Sequence, residues 1–403
     1  MDKIRDPKRN HIVYGVSDMV TGIGESLWGS ILEPYLDFVG FEVVTMGFLR
    51  SLLMFSQMMS SLLLGNLSDR IGRKAPIAFS FAASAAASLF LGYTRNFGVF
   101  AFLISVIGFM NGLRKPSVMA AVAESTPIEG RGTAIGVFQL LIFTPLLFGS
   151  MFGGMVASFF GYQWMFTIHS GLALLSTIIV VVFSVEVGRA FSGGGSSLKT
   201  AGLVAFESLP NTFAFLKRHH SYAFLMAAFA VHGFGFYIGV TFWALYAKKG
   251  LLLAIASVGM VQTVRFIGLW LGAVPAGRLT DKIGGWAMIA LHIVLTTPTT
   301  IFHVLMPSYG LMLVNSFLAG LIGAFDGPAR PVVYAKMVGE ENMGIATGIT
   351  DTFIMMGRMG GPIIAGLIWS SMGSTIPFWI GGIVNMFSLL PLLISWRLDR
   401  KTA

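Results

Sequence analysis

Eleven ionisable residues of this chain fall inside long apolar runs, and these are the side chains that could do chemistry. Asp18, Glu25 and Glu33 lie in the first run, Arg50 in the second and Arg114 and Lys115 in the fourth. Arg265 follows in the eighth, Asp326 and Arg330 in the tenth, and Asp351 and Arg358 in the eleventh. A charge at bilayer depth costs at least roughly 2.5–3.5 kcal/mol on insertion scales, so each must face protein or a water-filled cavity. Five acids against six bases can pair internally, and the same groups can bind a proton or a charged solute.

Asp18 and Glu25 are seven residues apart, two helical turns, and so share a face. Withdrawal from water favours the neutral form of a carboxyl, while a nearby arginine favours the charged one. Glu25 is therefore the first candidate for proton coupling and Asp18 the second, with a permanent ion pair as the alternative. Asp326 and Arg330, four apart with the acid first, suit a local helical pair. Arg114, Arg265, Arg330 and Arg358 have the planar fork that clamps a carboxylate or phosphate. With Asp326 they form the charged part of a candidate substrate site.

Other chemistries are poorly supported. There are no cysteines, which excludes a disulfide framework, a thiolate metal site and a cysteine nucleophile. His169, His232, His292 and His303 sit in four different runs without metal-ligand spacing, so no metal is expected. Neither HExxH nor GxSxG occurs, and the charges are dispersed over several helices, so an enzyme is not expected. No GxxxxGK[ST] phosphate loop occurs, so nucleotide hydrolysis is not expected to supply energy here. No cofactor is implied.

The elements that carry these residues are membrane helices. Of 403 residues, 55% are hydrophobic and only 11% charged, with 35 Phe and 49 Gly, more apolar side chain than soluble cores could bury. The net charge of +9 comes from Lys and Arg in short segments between apolar runs; it is a topology signal, and nucleic acid is not an expected partner. The basic start MDKIRDPKRNH precedes a run, 12–36, that is too long for a signal-peptide core and reads as a retained helix. Eleven further spans are expected near 44–66, 75–93, 97–123, 133–158, 164–187, 221–247, 253–277, 285–305, 309–336, 345–370 and 375–396.

The longest connection, 188–220, contains SGGGSS as flexible linker and SLPNTFAFLKRHH as an interfacial-helix candidate. It divides the chain into a bundle over 1–188, a linker over 189–220 and a second bundle over 221–403. With both termini cytoplasmic, eighteen Lys and Arg fall on the cytoplasmic side against Arg95, Lys248 and Lys249 outside. The positive-inside rule then sets the orientation.

The halves are copies. A shift of 212 residues (277 − 65) aligns Gly65 with Gly277, Asp69 with Asp281, Gly72 with Gly284, Gly108 with Gly320, Pro116 with Pro328 and Gly149 with Gly361. One offset across several helices marks a duplicated six-helix unit, in parallel halves about an axis along the membrane normal. The ionisable residues do not repeat: Glu25 aligns with Tyr237, Leu53 with Arg265 and Leu146 with Arg358.

GNLSDRIGRK at 65–74, with its shorter relative GRLTDKIGG at 277–285, resembles the cytoplasmic loop signature of the major facilitator superfamily. Helix count, central linker and repeat extend the resemblance over nearly the whole chain. It implies an all-α membrane fold of twelve helices in two six-helix bundles related by a pseudo-two-fold axis. The function it implies is secondary transport by alternating access, with protons and a small-molecule solute as partners, as a monomer in the plasma (inner) membrane. It implies a conformational latch at Gly65, Asp69, Arg70, Gly72 and Arg73, with Arg131 as partner and Asp281 in the second copy.

By the same resemblance helices 1, 4, 7 and 10 surround the substrate cavity, which adds His232 and Tyr237 to the substrate candidates. The acids of the first helix and the many aromatic residues resemble those of drug or metabolite exporters. Uptake of an organic anion with protons is the alternative, carried by the arginines. The fifth-helix pattern of antiporters, Gly-Pro-x-x-Gly-Gly, departs here to Gly149, Ser150, Gly153 and Gly154.

Overall fold

A chain this apolar meets no water in a bilayer, so its backbone donors and acceptors must be satisfied within each segment, and helices achieve that locally. The computed structural model describes residues 9–64, 72–124, 131–186, 215–306, 308–338 and 343–402, side chains being undescribed at 123–140, 142–143, 343–345 and 401–402. The helices are α1 (Asn10–Gly29), α2 (Leu32–Val39), α3 (Val43–Leu64), α4 (Lys74–Leu91), α5 (Phe97–Glu124), α6 (Arg131–Phe159), α7 (Tyr162–Phe183) and α8 (His220–Val240). They continue as α9 (Trp243–Lys249), α10 (Ile255–Ile283), α11 (Gly285–Leu305), α12 (Tyr309–Gly323), α13 (Asp326–Val338), α14 (Met343–Met372), α15 (Ile376–Phe387) and α16 (Leu389–Thr402).

Among the described residues ten spans are long and apolar enough to cross a membrane, with α8–α9, α12–α13 and α15–α16 each acting as one interrupted span. Two of the expected twelve are not among these ten: the first run carries Asp18 and Glu25 and is interrupted after Gly29, and in α6 (29 residues), whose side chains are undescribed at 131–140 and 142–143, the described apolar stretch is Thr144–Phe159. Prolines stand inside α5, α6, α10, α11, α13 and α14, which membrane helices tolerate because neighbours re-satisfy the freed carbonyls. Phe102, Phe159 and Val274 are 67%, 75% and 65% exposed, a cost in water that hydrocarbon removes.

Two compact units divide the chain, one comprising Met1–Tyr35 and Leu52–Glu207, the other Leu36–Ser51 and Ser208–Ala403. The first has a core around Tyr14, Ile77, Phe81, Val118 and Val180; the second packs Tyr222, Phe229, Ile289, Val333 and Tyr334. The 212-residue repeat reappears as packing within each unit. In the first, the position a Cβ on Gly108 would take is filled by the backbone carbonyl of Leu53; in the second, Gly320 meets the carbonyl of Arg265 in the same way. Each residue of one contact is 212 before its counterpart in the other, so the duplication is preserved as backbone-to-backbone approach.

Candidate functional site

Burying a guanidinium requires partners for its charge, and Arg114, 1% exposed on α5, finds them on α1. Its Nε lies 3.0 Å from Asp18 Oδ1, and its Nη2 donates to Glu25 Oε1 at 2.7 Å. The two-turn spacing that puts both acids on one face thus lets a single arginine bridge them. Arg114 also lies over the Phe81 ring, 5.0 Å from its centroid, and among the described residues its Nη1 is buried without a hydrogen-bond partner. Lys115 and His169 are the other charged or titratable groups whose fields reach Glu25; Lys115 is exposed, where water screens it.

An aromatic wall adjoins this cluster. Trp28 stacks on Phe166 at 5.7 Å and donates its indole N–H to Nδ1 of His169 at 3.1 Å. Ser88 Oγ lies 2.8 Å from the same nitrogen. In the sequence Trp28 is a weak candidate on its own and His169 reads as a core or cavity residue; the structure brings both against the Glu25 cluster.

The second unit holds the other candidates. Asp326 and Arg330 form the i,i+4 pair expected of them, Arg330 Nε donating to Asp326 Oδ1 at 2.6 Å and Nη2 engaging Oδ2. Arg330 lies over Phe229 at 4.6 Å, Arg265 over Phe236 at 5.4 Å and Arg358 over Tyr237 at 5.6 Å. Among the described residues, Arg265 and Arg358 have aromatic faces and no carboxylate at ion-pair distance. His232 packs on Phe236, ring centroids 6.0 Å apart. It is 9% exposed and committed to Asn385 Oδ1 at 2.6 Å and His292 Nε2 at 3.4 Å. In the sequence the only sign of Asn385's part is a lone amide in an apolar run.

Of the latch residues, Gly65, Asp69 and Arg70 lie outside the described residues, as does the side chain of Arg131, which opens α6. Gly72 adopts φ +93° against the Glu186 carboxylate. Glu186 Oε1 accepts from the backbone N–H groups of Arg73 at 2.5 Å and Lys74 at 3.2 Å, where α4 begins and its dipole favours an anion. In return Lys74 Nζ donates to the carbonyls of Val181 and Ser184, each at 2.9 Å, at the end of α7, where the dipole favours a cation. Asp281 is exposed in the last turn of α10.

Comparison with known proteins gives one consistent result. The family model described as Major Facilitator Superfamily matches residues 15–251 and 225–403. Multidrug resistance protein 2 of Bacillus subtilis (strain 168) is 24% identical over 406 residues, covering 99% of this chain and 98% of the relative. Quinolone resistance protein NorA of Staphylococcus aureus (strain MRSA252) is 25% identical over 353 residues, 86% of each chain. A crystal structure of a peptide transporter POT superposes with a TM-score of 0.76 at 15% identity, covering 97% of this chain and 95% of that one. The nucleoside transporter NupG gives 0.73 at 13% identity, with 96% and 98% covered.

Proposed function

Since this chain belongs to the major facilitator superfamily of secondary transporters, we propose that it exports a small organic cation in exchange for protons, with Asp18, Glu25 and Arg114 as the exchanging site. The supporting observation is a charge count. Two carboxylates share one guanidinium, so the fully ionised cluster carries one net negative charge. A proton or a cationic solute restores neutrality, and once either has done so the other meets no remaining attraction. Competition for one charge is the thermodynamic core of antiport. The names of the relatives, which speak of multidrug and quinolone resistance, support export as the direction.

On this reading the site lies in a plasma-membrane protein with both termini cytoplasmic, supported by the distribution of Lys and Arg. The 65–74 loop is its conformational latch, and the anchoring of Arg73 and Lys74 to α7 and Glu186 is the support for a rigid base there. His232 and Tyr237, with the arginines of the second unit, are substrate candidates. A second reading, proton-coupled uptake of an organic anion, is favoured by Arg265 and Arg358, which have aromatic faces in place of acids, and by the unpartnered Nη1 of Arg114.

The test is reconstitution in liposomes enclosing a pH-sensitive dye, with a panel of cationic and anionic solutes, for wild type and Glu25→Gln. Protons moving opposite to a cation, and no longer doing so in the variant, are expected. Unchanged coupling in Glu25→Gln would remove Glu25 from the mechanism, and protons accompanying an anion would establish the second reading.

A further inference from the structure

The imidazoles of His232 and His292 face each other in the second unit, each ring held at its far end by an oxygen. Asn385 Nδ2 donates to the Ile293 carbonyl at 3.1 Å and to Thr297 Oγ1 at 2.9 Å. A carbonyl only accepts, so the amide is fixed with Oδ1 toward His232 Nδ1, 2.6 Å away. His232 must therefore carry a proton on Nδ1. His292 Nδ1 lies 2.9 Å from the carbonyl of Ile322, and it must carry a proton there for the same reason.

Between them the Nε2 atoms stand 3.4 Å apart. Acceptor, two rings and acceptor form a chain of three N-centred contacts, each needing one proton. Two neutral imidazoles bring two. With both protons at the outer ends, bare lone pairs would oppose each other at the centre; moving one inward would expose an Nδ1 lone pair to a carbonyl oxygen. We propose that His232 and His292 bind a third proton between their Nε2 atoms, forming an imidazolium–imidazole pair that is a proton site separate from Asp18 and Glu25.

The surroundings determine what that proton would do. His292 is 6% exposed and Asn385 1%, so the pair is shielded. Asp326 and Arg330 are the charged groups whose fields reach both rings. Arg265, lying over the Phe236 ring that also packs on His232, and Arg358, beside Gly233 on the neighbouring turn, are the other cations nearby. A proton on the pair draws on the Asp326 carboxylate in competition with Arg330. Loss of the proton forces one of the three contacts to open, and the rings then have two arrangements, one for each state.

This site is independent of the exchange reading given to Glu25, and its test does not use transport. Full-length protein labelled with [15N]histidine would be studied in lipid bilayers by solid-state NMR between about pH 5 and pH 9, bracketing the ordinary imidazole range. The expected spectrum contains one doubly protonated ring coupled to a second through N–H···N. That signal should be lost in His292→Gln, whose amide can donate to His232 Nε2 and replace the third proton. It should persist in His303→Gln and in Glu25→Gln. The absence of any N–H···N-coupled ring pair at every pH in wild type would overturn the proposal whatever the variants do, and so would a shared-proton signal that survives His292→Gln.

Discussion

Trp28 donates its indole N–H to Nδ1 of His169, and because an indole nitrogen can only donate, that contact fixes the histidine as the tautomer protonated on Nε2. A second proton on Nδ1 would break the bond from Trp28 and turn two N–H groups toward each other. His169 is therefore held neutral, although it lies within reach of the Glu25 field. His169→Gln should lower the melting temperature and leave the proton dependence of transport unchanged. Trp28→Phe removes one of two hydrogen bonds to Nδ1, the other being from Ser88, and should cost about 0.5–1.5 kcal/mol. A flattened pH profile in His169→Gln would show that the ring carries protons after all.

Removing Arg114 should be far more damaging than removing either acid. Arg114→Met leaves two carboxylates facing each other in a protein interior, and breaking a buried pair from one side costs about 3–5 kcal/mol. Adding Asp18→Asn and Glu25→Gln to Arg114→Met should restore expression and melting temperature without restoring transport. Failure of the triple variant to recover would mean that Arg114 supports the fold chiefly through its packing over Phe81.

The charge count predicts a pH dependence with a definite sign. Lowering the pH neutralises the Asp18–Glu25–Arg114 cluster and removes the negative charge that a cation needs, so cation affinity should fall as pH falls. If one proton displaces one cation, the apparent Kd should rise about tenfold for each pH unit over the titrating range, by linkage. Equilibrium binding of a fluorescent cation to the purified protein measures this directly. A pH-independent Kd would separate proton and solute into different sites.

Gly72 is a further point of sensitivity. At φ +93° an L-residue pays for left-handed backbone, about 1–2 kcal/mol, and the new Cβ would also strike the Glu186 carboxylate. Gly72→Ala should therefore lower the melting temperature more than Glu186→Gln, which keeps an acceptor for the N–H groups of Arg73 and Lys74 and loses only charge, worth about 0.3–1 kcal/mol at a helix start. The reverse order would place the strain elsewhere.

Much of this architecture can be read in the sequence because a bilayer simplifies the problem: long apolar runs must be helices, and a single offset reveals the duplication. Asp326 with Arg330 is readable for a similar reason, since four residues on one helix are adjacent wherever that helix packs. The bridging of Asp18 and Glu25 by Arg114 was not readable, because it depends on how α1 meets α5 at side-chain resolution. His232 shows the limit most clearly. The family resemblance, which places its helix at the cavity, marks it as a candidate to meet a solute, but its contacts depend on the amide of Asn385, 153 residues away, and no local pattern encodes an amide's orientation.

The glycine contacts at 108 and 320 explain how one half could change its chemistry while the other did not. Each glycine rests on a carbonyl, of Leu53 in one case and of Arg265 in the other, and a carbonyl is present whatever side chain its residue bears. The joint between these helices is therefore indifferent to the identity of the residue it grips. A duplicated leucine-type position could become an arginine, or the reverse, with the helices still seated, so selection was free to vary the side chain on a frame that did not register the change.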